Sequence, residues 1–190
     1  MTTLAPALSL RYFPRMNVWM RDFFLVFTAA LFVAVFAQVK IPLSFTPIPL
    51  TGQTFAVLLV GAILGSKRGA TSLIFYIAMG AFGLPFFAGG ASGFAYLSGA
   101  TLGYLFGFVA AAYLVGKLAE QGLERSVRTS LIPFLAGTLV IYLFGVGWMS
   151  ILFGIEKAIG LGVLPFLIGD ALKLILAALT LPTLWKFIRP

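Results

Sequence analysis

The chain has 190 residues, of which 61% are hydrophobic and 9% are charged, whereas soluble domains carry about 25% charged residues. Because a chain of this length cannot bury so much apolar surface in one water-soluble core, the composition excludes a soluble globular domain and predicts an integral membrane protein. The net charge of +8 does not indicate nucleic acid, since the basic residues stand at the ends of the hydrophobic runs, and the lack of Cys and His excludes disulfides, thiol catalysis and the usual transition-metal sites.

Six apolar runs predict an all-α bundle of six transmembrane helices, with irregular outer loops, that forms a single membrane domain over residues 1–190. The runs cover residues 22–38, 52–65, 69–83, 99–117, 129–148 and 163–187. A spanning helix needs about 20 mostly apolar residues, so the chain has room for six helices and short loops. The polar, mixed segment before the first run lacks the features of a signal peptide, and none is expected.

Two of the connecting segments are irregular and carry few charges. Residues 40–50 contain three prolines, which forbid a regular helix, and residues 84–99 are rich in glycine and uncharged. Such backbone is tolerated at membrane depth only where it is buried in protein or lines a cavity. Both segments are therefore candidates for the wall of a ligand site.

The distribution of basic residues predicts the orientation in the membrane. If the N-terminus is cytoplasmic, the inner segments carry ten basic residues and the outer loops carry two. The inner residues are Arg11, Arg15, Arg21, Lys67, Arg68, Lys117, Arg125, Arg128, Lys186 and Arg189, and the outer ones are Lys40 and Lys157. This asymmetry favours six crossings with both termini cytoplasmic. Both irregular segments and the start of the last helix then lie on the outer side.

Asp170 and Lys173 are charged residues inside the last apolar run. A charge at a helix centre costs roughly 2.5–3.5 kcal/mol on insertion scales, so such residues are usually functional. The spacing of three places both on one helix face, where they can neutralise each other. A carboxylate and an ammonium together suit a ligand that has both N–H and C=O groups. The alternative is a buried ion pair that holds the last helix in the bundle.

Other polar residues are predicted on the same outer side. Thr51 and Gln53 follow the proline-rich segment, and they either contact a ligand or form the cap and first turn of the second helix. Thr101 and Tyr104 begin the fourth helix, where Tyr104 is either a ligand contact or an anchor at the membrane interface.

Small residues recur every four positions on several helices, which allows close helix packing. The stripes are Gly99, Gly103 and Gly107 on the fourth helix, Gly61 and Gly65 on the second, and Ala30 and Ala34 on the first. The alanine pair could pack internally or against a partner subunit.

No catalytic residue, metal site or cofactor site is expected. The chain contains neither a G-x-x-x-x-G-K-[ST] phosphate loop nor an H-E-x-x-H zinc motif. Only one carboxylate, Asp170, lies deep within an apolar run, so paired acid and base catalysis is not expected. An enzyme or an assembly scaffold is therefore the weakest of the alternatives.

Four segments together resemble the BioY family, the biotin-specific substrate-binding subunits (S components) of energy-coupling-factor (ECF) vitamin transporters. They are TPIPLTGQTFAV at 46–57, GAFGLPFFAGGASG at 80–93, SGATLGYLFG at 98–107 and VLPFLIGDALK at 163–173. Their order matches the family's motifs, with departures at Gly52, Ser92, Ala100 and Leu102.

The resemblance implies uptake of biotin, bound from the outside, by a subunit of the plasma membrane that works with a transmembrane coupling subunit and two ATPases. Asp170 and Lys173 would match the family's binding pair, and Ala30 and Ala34 its docking surface for the coupling subunit. The loop residues Gly89, Gly90, Ala91 and Ser92 would join Thr51, Gln53, Thr101 and Tyr104 around the ligand. An S component for another vitamin is the alternative within the same class.

Overall fold

The computed structural model describes residues 3–188, and most of them are in helices. Arg189, one of the predicted inner charges, lies outside the described residues. The helices are α1 (Leu4–Tyr12), α2 (Val18–Gln38), α3 (Gln53–Leu64), α4 (Ser66–Ala81), α5 (Phe94–Leu97), α6 (Leu102–Ala119), α7 (Val127–Phe153), α8 (Ile155–Gly162) and α9 (Leu167–Ile188). Strands β1 (Lys40–Ile41) and β2 (Leu50–Thr51) form one antiparallel pair, and 3-10 turns lie at Leu123–Arg125 and Leu164–Phe166.

Four stretches of the described residues are long and apolar enough to cross a membrane. They are Val18–Gln38, Leu102–Ala119, Val127–Phe153 and Ile155–Lys186, the last of which contains α8 and most of α9. Helices α3 and α4 have 12 and 16 residues, which correspond to about 18 Å and 24 Å, against a hydrocarbon core of about 30 Å. The fold is thus all-α with the hydropathy of a membrane protein, and the count of six crossings stays a prediction.

Each of the six predicted runs contains a helix, but α1, α5 and α8 go beyond the prediction. Helix α1 keeps Pro6 in its first turn, where a missing N–H breaks no helical hydrogen bond. Gly154, at φ 82°, separates α8 from α7. The last helix begins at Leu167 rather than at 163, because Pro165 lies in a 3-10 turn that precedes it.

Glycines set the helix contacts at the centre of the bundle. A Cβ added to Gly61 would lie 2.7 Å from the backbone oxygen of Ala112, so α3 and α6 cross in direct backbone contact. Gly103 and Gly107 likewise meet α7, as the spacing predicts. Gly65 instead ends α3 with φ 86°, and Gly99 lies in a turn, so these two are not packing positions on helices.

Both irregular segments and the start of α9 meet at one end of the bundle. The Thr46 hydroxyl donates a hydrogen bond to the oxygen of Leu161 in α8 (2.8 Å), and a Cβ added to Gly169 of α9 would lie 3.2 Å from the Leu50 side chain. The Gln38 amide donates to the Pro85 oxygen (3.2 Å), which joins the end of α2 to residues 82–101. The convergence expected from the topology is therefore present in the fold.

Glu124 lies at the opposite end, in the 3-10 turn between α6 and α7. Its side chain is fully buried, with Oε1 3.7 Å from Nε of Arg125, whose guanidinium lies 5.0 Å from the ring centroid of Trp185. Burial raises the pKa of Glu124 above its ordinary value, and Arg125 offsets this only in part. The folded state therefore holds its proton to higher pH than the unfolded state, so this group lowers stability as the pH rises through that window.

Replacing Glu124 by glutamine is expected to raise the unfolding temperature of the detergent-purified protein near pH 7. The difference from the parent protein should shrink as the pH falls to 4.5, the ordinary carboxyl value, because Glu124 is then protonated in the folded state. Thermal unfolding at both pH values checks this, with the exposed Glu156→Gln as the control. An equal difference in unfolding temperature at both pH values would show that the protonation of Glu124 does not affect stability.

Candidate functional site

Asp170 and Lys173 lie in a polar cluster with Thr54 of α3 and Tyr142 of α7. The Lys173 ammonium donates to Oδ1 of Asp170 (2.8 Å) and to the Thr54 hydroxyl (2.9 Å). The Thr54 hydroxyl donates to the same Oδ1 (3.2 Å), and the Tyr142 hydroxyl donates to Oδ2. Three helices thus supply donors to one carboxylate.

The start of α9 favours this arrangement. Asp170 lies in the first turn of the helix, where the dipole stabilises a negative charge, and Lys173 lies one turn further along the same face. Asp170 is 6% exposed, so its charge is largely removed from water and depends on these donors. The contact between Lys173 and Asp170 agrees with both interpretations of the sequence, a structural ion pair and a ligand site.

A cavity of about 50 Å³ opens beside the pair, which is room for a few water molecules. Its wall comes from the β1–β2 hairpin (residues 40–51) and from α3, α6, α7 and α9, with Ala88 and Tyr96 of the second irregular segment. Among the predicted residues it includes Thr51, Gln53, Thr101, Tyr104, Asp170 and Lys173, and it adds Ile48, Pro49, Thr54, Leu105, Phe108, Ile141, Tyr142 and Phe166. The wall is mainly apolar and aromatic, with its charges at one place.

Thr51 and Gln53 begin a chain of hydrogen bonds that leaves the cavity. The Thr51 hydroxyl accepts from the Gln53 backbone N–H (3.3 Å) and donates to the Gln53 side-chain oxygen (3.0 Å). The Gln53 amide then donates to the Tyr76 hydroxyl (2.6 Å), which donates to the Phe86 oxygen (3.1 Å). The N-cap residue of α3 is Gly52, so Thr51 precedes the predicted cap position, although its hydroxyl still accepts from the first N–H of the helix. Gln53 lies in the first turn as expected, and the chain of hydrogen bonds ties α3 to α4 and to residues 82–101.

Tyr104 is a buried residue rather than an anchor at the membrane interface. It is 7% exposed, and its hydroxyl donates to the Gly162 oxygen (2.7 Å) at the end of α8. Its ring forms part of the cavity wall. The interfacial alternative is therefore wrong for this residue, because its side chain is buried and its hydroxyl is hydrogen-bonded within the protein.

The loop residues Gly89, Gly90, Ala91 and Ser92 are outside the cavity wall, which their neighbour Ala88 reaches. The Gly89 N–H donates to the Ala37 oxygen (3.2 Å), and the Gly90 N–H donates to the Phe87 oxygen (3.1 Å). Positive φ angles of 70° and 78° at these glycines turn the backbone over the end of α2. Their N–H groups are thus used within the protein, and their role as ligand contacts stays a prediction.

Thr54, Tyr96 and Tyr142 are polar members of the site that were not predicted from the sequence. Tyr142 places a hydroxyl group in the middle of a long apolar run, and this pattern could have identified it as a site residue. Thr54 directly follows Gln53, and nothing in the sequence distinguishes it as a separate site residue. The aromatic wall residues Phe108 and Phe166 carry no such signal, because phenylalanine is common throughout the chain.

Ala30 and Ala34 lie in the chain's own core, at 0% and 7% exposure. Of the two alternatives left open, internal packing is the one present in this structure. The outward face of α2 carries large side chains instead, including Phe23, Phe24 and Val35. Docking of a partner on the alanines would require α2 to change its packing, and it stays a prediction.

Comparison with known proteins gives one consistent result. The sequence model of the BioY family matches residues 7–190. The probable biotin transporter BioY of Pyrococcus horikoshii is 41% identical over 145 residues, which are 76% of this chain and 85% of that protein. The biotin transporter BioY of Thermotoga maritima is 41% identical over 155 residues, or 81% of this chain and 88% of that one.

A solved structure is similar over nearly the whole fold. It is the crystal structure of the S component for biotin from an ECF-type ABC transporter. The TM-score is 0.80 at 26% sequence identity, and the alignment covers 90% of this chain and 95% of that one. The arrangement of helices described above is therefore that of this S component.

Proposed function

The chain belongs to the BioY family, and from this membership we propose that it binds biotin as the S component of an ECF-type transporter. The observation that carries the proposal is the Asp170–Lys173 pair, which forms the charged end of a mainly apolar cavity. No catalytic step is needed, because the protein's task is to recognise its ligand and hand it to the transporter.

The chemistry of biotin suits this cavity. Its ureido ring has two N–H donors and one C=O acceptor, which complement the Asp170 carboxylate and the Lys173 ammonium. The ring's sulfur-containing half and the aliphatic chain are apolar, and Phe108, Ile141 and Phe166 provide the matching wall. The carboxylate of biotin would find hydroxyl donors at Thr101 and Tyr96.

We place the protein in the plasma membrane with six crossings and both termini in the cytoplasm. Helices α3 and α4 would form the two shortest crossings. The excess of basic residues at the end that carries Glu124 supports this orientation. The cavity would then open to the outside. A coupling subunit and two ATPases would complete the transporter, as the family's membership in ECF systems implies.

Binding to the purified chain in lipid nanodiscs tests the proposal directly. Isothermal titration with biotin should give one saturable site, and mass spectrometry of small molecules released from the freshly purified protein should identify biotin. A different vitamin in the released fraction, together with no heat on adding biotin, would favour the alternative S component. Turnover of the ligand would indicate an enzyme.

Methylation of one ureido nitrogen of biotin is expected to weaken binding roughly 10–100-fold, because it removes a hydrogen bond to a charged carboxylate. The methyl ester of biotin, which keeps both ureido N–H groups, should lose less. Competition of each analogue against labelled biotin measures both effects. The reverse order of the two losses would place the carboxylate of biotin, rather than its ureido ring, at Asp170 and Lys173.

A further inference from the structure

An apolar groove runs along the outside of the bundle between α4 and α6, away from the biotin cavity. Its volume is about 880 Å³, and small residues such as Ala70, Ala78 and Ala110 form its floor. Exposed aromatic side chains, including Phe82 (76%) and Phe106 (55%), border it. A groove with this lining fits a flexible hydrocarbon chain better than a rigid polar ligand.

A charged pocket continues the groove at the end of the bundle where α4 begins. Tyr113 lines both, so the two are adjacent, and the pocket adds Lys67, Arg68 and Lys117. The ion pair between Arg68 and Asp22 is bidentate, with Nε 2.9 Å and an Nη 3.1 Å from the carboxylate oxygens. The positive charge of Arg68 is therefore already used within the protein.

Lys67 and Lys117 remain available for an external anion. Both are exposed, and neither has a carboxylate within ion-pair distance among residues 3–188. The second carboxylate of the pocket, Glu120, accepts hydrogen bonds from the N–H and the hydroxyl of Ser66 (both 2.8 Å). Two lysines thus stand at the mouth of an apolar groove.

The dimensions match one leaflet of a bilayer. From Ala70 to Ala81 the groove follows α4 for about 17 Å, and half of a hydrocarbon core is about 15 Å. Basic pockets between transmembrane helices at the cytoplasmic side are typical sites for anionic lipid headgroups. The choice of the inner leaflet depends on the proposed orientation, whereas the contact itself does not.

We propose that this groove is a binding site for one anionic phospholipid. An acyl chain lies along the alanine floor between α4 and α6, and the headgroup phosphate lies between Lys67 and Lys117. A second copy of the chain would cover the apolar groove but would place its own inner lysines next to these two. Like charges at that contact favour the lipid.

Native mass spectrometry of the full chain in detergent tests the proposal. The protein is titrated with phosphatidylglycerol and with phosphatidylcholine that carries the same acyl chains. We expect tighter binding of phosphatidylglycerol, and a loss of about 25-fold in the double variant Lys67→Gln/Lys117→Gln, at about 5-fold for each lysine. Binding of phosphatidylcholine should change little in this variant.

The matched control is Arg128→Gln/Lys186→Gln, which removes two exposed basic residues from the same end but away from the groove. It should keep its affinity within about twofold. A second variant, Ala78→Leu, fills the groove without changing charge, and it should weaken both lipids. Thermal unfolding confirms that each variant is folded.

Three results would overturn the proposal. They are equal affinity for the two lipids, an equal loss in the control and the lysine variants, and a dimer whose cross-links join the groove of one chain to that of another. The lysine variants change exposed positions only, so they decide the matter even if Ala78→Leu does not fold.

Discussion

Replacing Asp170 by asparagine is expected to weaken biotin binding by about 3 kcal/mol, or roughly 100-fold. The carboxylate accepts hydrogen bonds from Lys173, Thr54 and Tyr142, so its charge sets the positions of all three donors. Asparagine leaves the Lys173 ammonium without a counter-charge and presents an N–H₂ group to at least one donor. Titration of the variant with biotin in nanodiscs measures the loss.

Two variants serve as graded controls for this prediction. Tyr142→Phe removes one donor but keeps the ion pair, and it should cost roughly tenfold. Glu156→Gln removes an exposed carboxylate from α8, and it should leave the affinity unchanged. Unchanged affinity in Asp170→Asn, with a folded protein, would show that biotin binds elsewhere.

A double variant separates a ligand contact from a purely structural ion pair. Replacing a buried pair by uncharged residues is often neutral for stability, whereas removal of one partner is costly. Asp170→Asn/Lys173→Gln should therefore recover thermal stability relative to Asp170→Asn. If the pair touches biotin, the affinity stays low in the double variant; if the pair only holds α9 in the bundle, the affinity returns with the stability.

Gly61→Ala is expected to destabilise the protein by about 3 kcal/mol. In a helix this change normally gains about 1 kcal/mol, so a loss would reverse the usual sign. The reason is the crossing with α6, where the new Cβ would lie 2.7 Å from the Ala112 oxygen and 3.0 Å from its Cα. Backbone atoms cannot move aside as a flexible side chain can, so the two helices must separate.

The matched control is Gly147→Ala in α7, where no atom lies within 4 Å of the added Cβ. This variant should be as stable as the parent protein or slightly more stable. Thermal unfolding of both variants in the same detergent gives the comparison. Similar midpoints for the two would mean that α3 and α6 do not pack closely in solution.

The sequence was sufficient for features that depend on local pattern. Hydropathy located the long helices, and the three-residue spacing of Asp170 and Lys173 predicted their ion pair. The charge pattern predicted that the two irregular segments lie at the same end of the bundle. Each of these follows from residues close together in the chain or from a count of crossings.

Features that depend on helix rotation could not be predicted in the same way. The contact between Thr54 and Asp170 joins residues 116 apart, and it needs the rotation of α3 relative to α9. Ala30 and Ala34 show the same limit, because the pattern identifies a face suited to close packing but not the helix that covers it. The sequence motif contains Gly89 but does not predict the direction in which the chain turns there, which follows from the positive φ angle in the structure.

The small volume of the cavity has a consequence for the time course of binding. A space of about 50 Å³ is too small for biotin, so part of the cavity wall must move before the ligand can enter. We expect the hairpin residues Ile48, Pro49 and Thr51 to move, because they lie outside the helices. The free energy of that opening reduces the observed free energy of binding, since only the open fraction of molecules accepts ligand. If opening precedes binding, the rate of association reaches a plateau at high biotin concentration, and the plateau reports the opening rate of the hairpin.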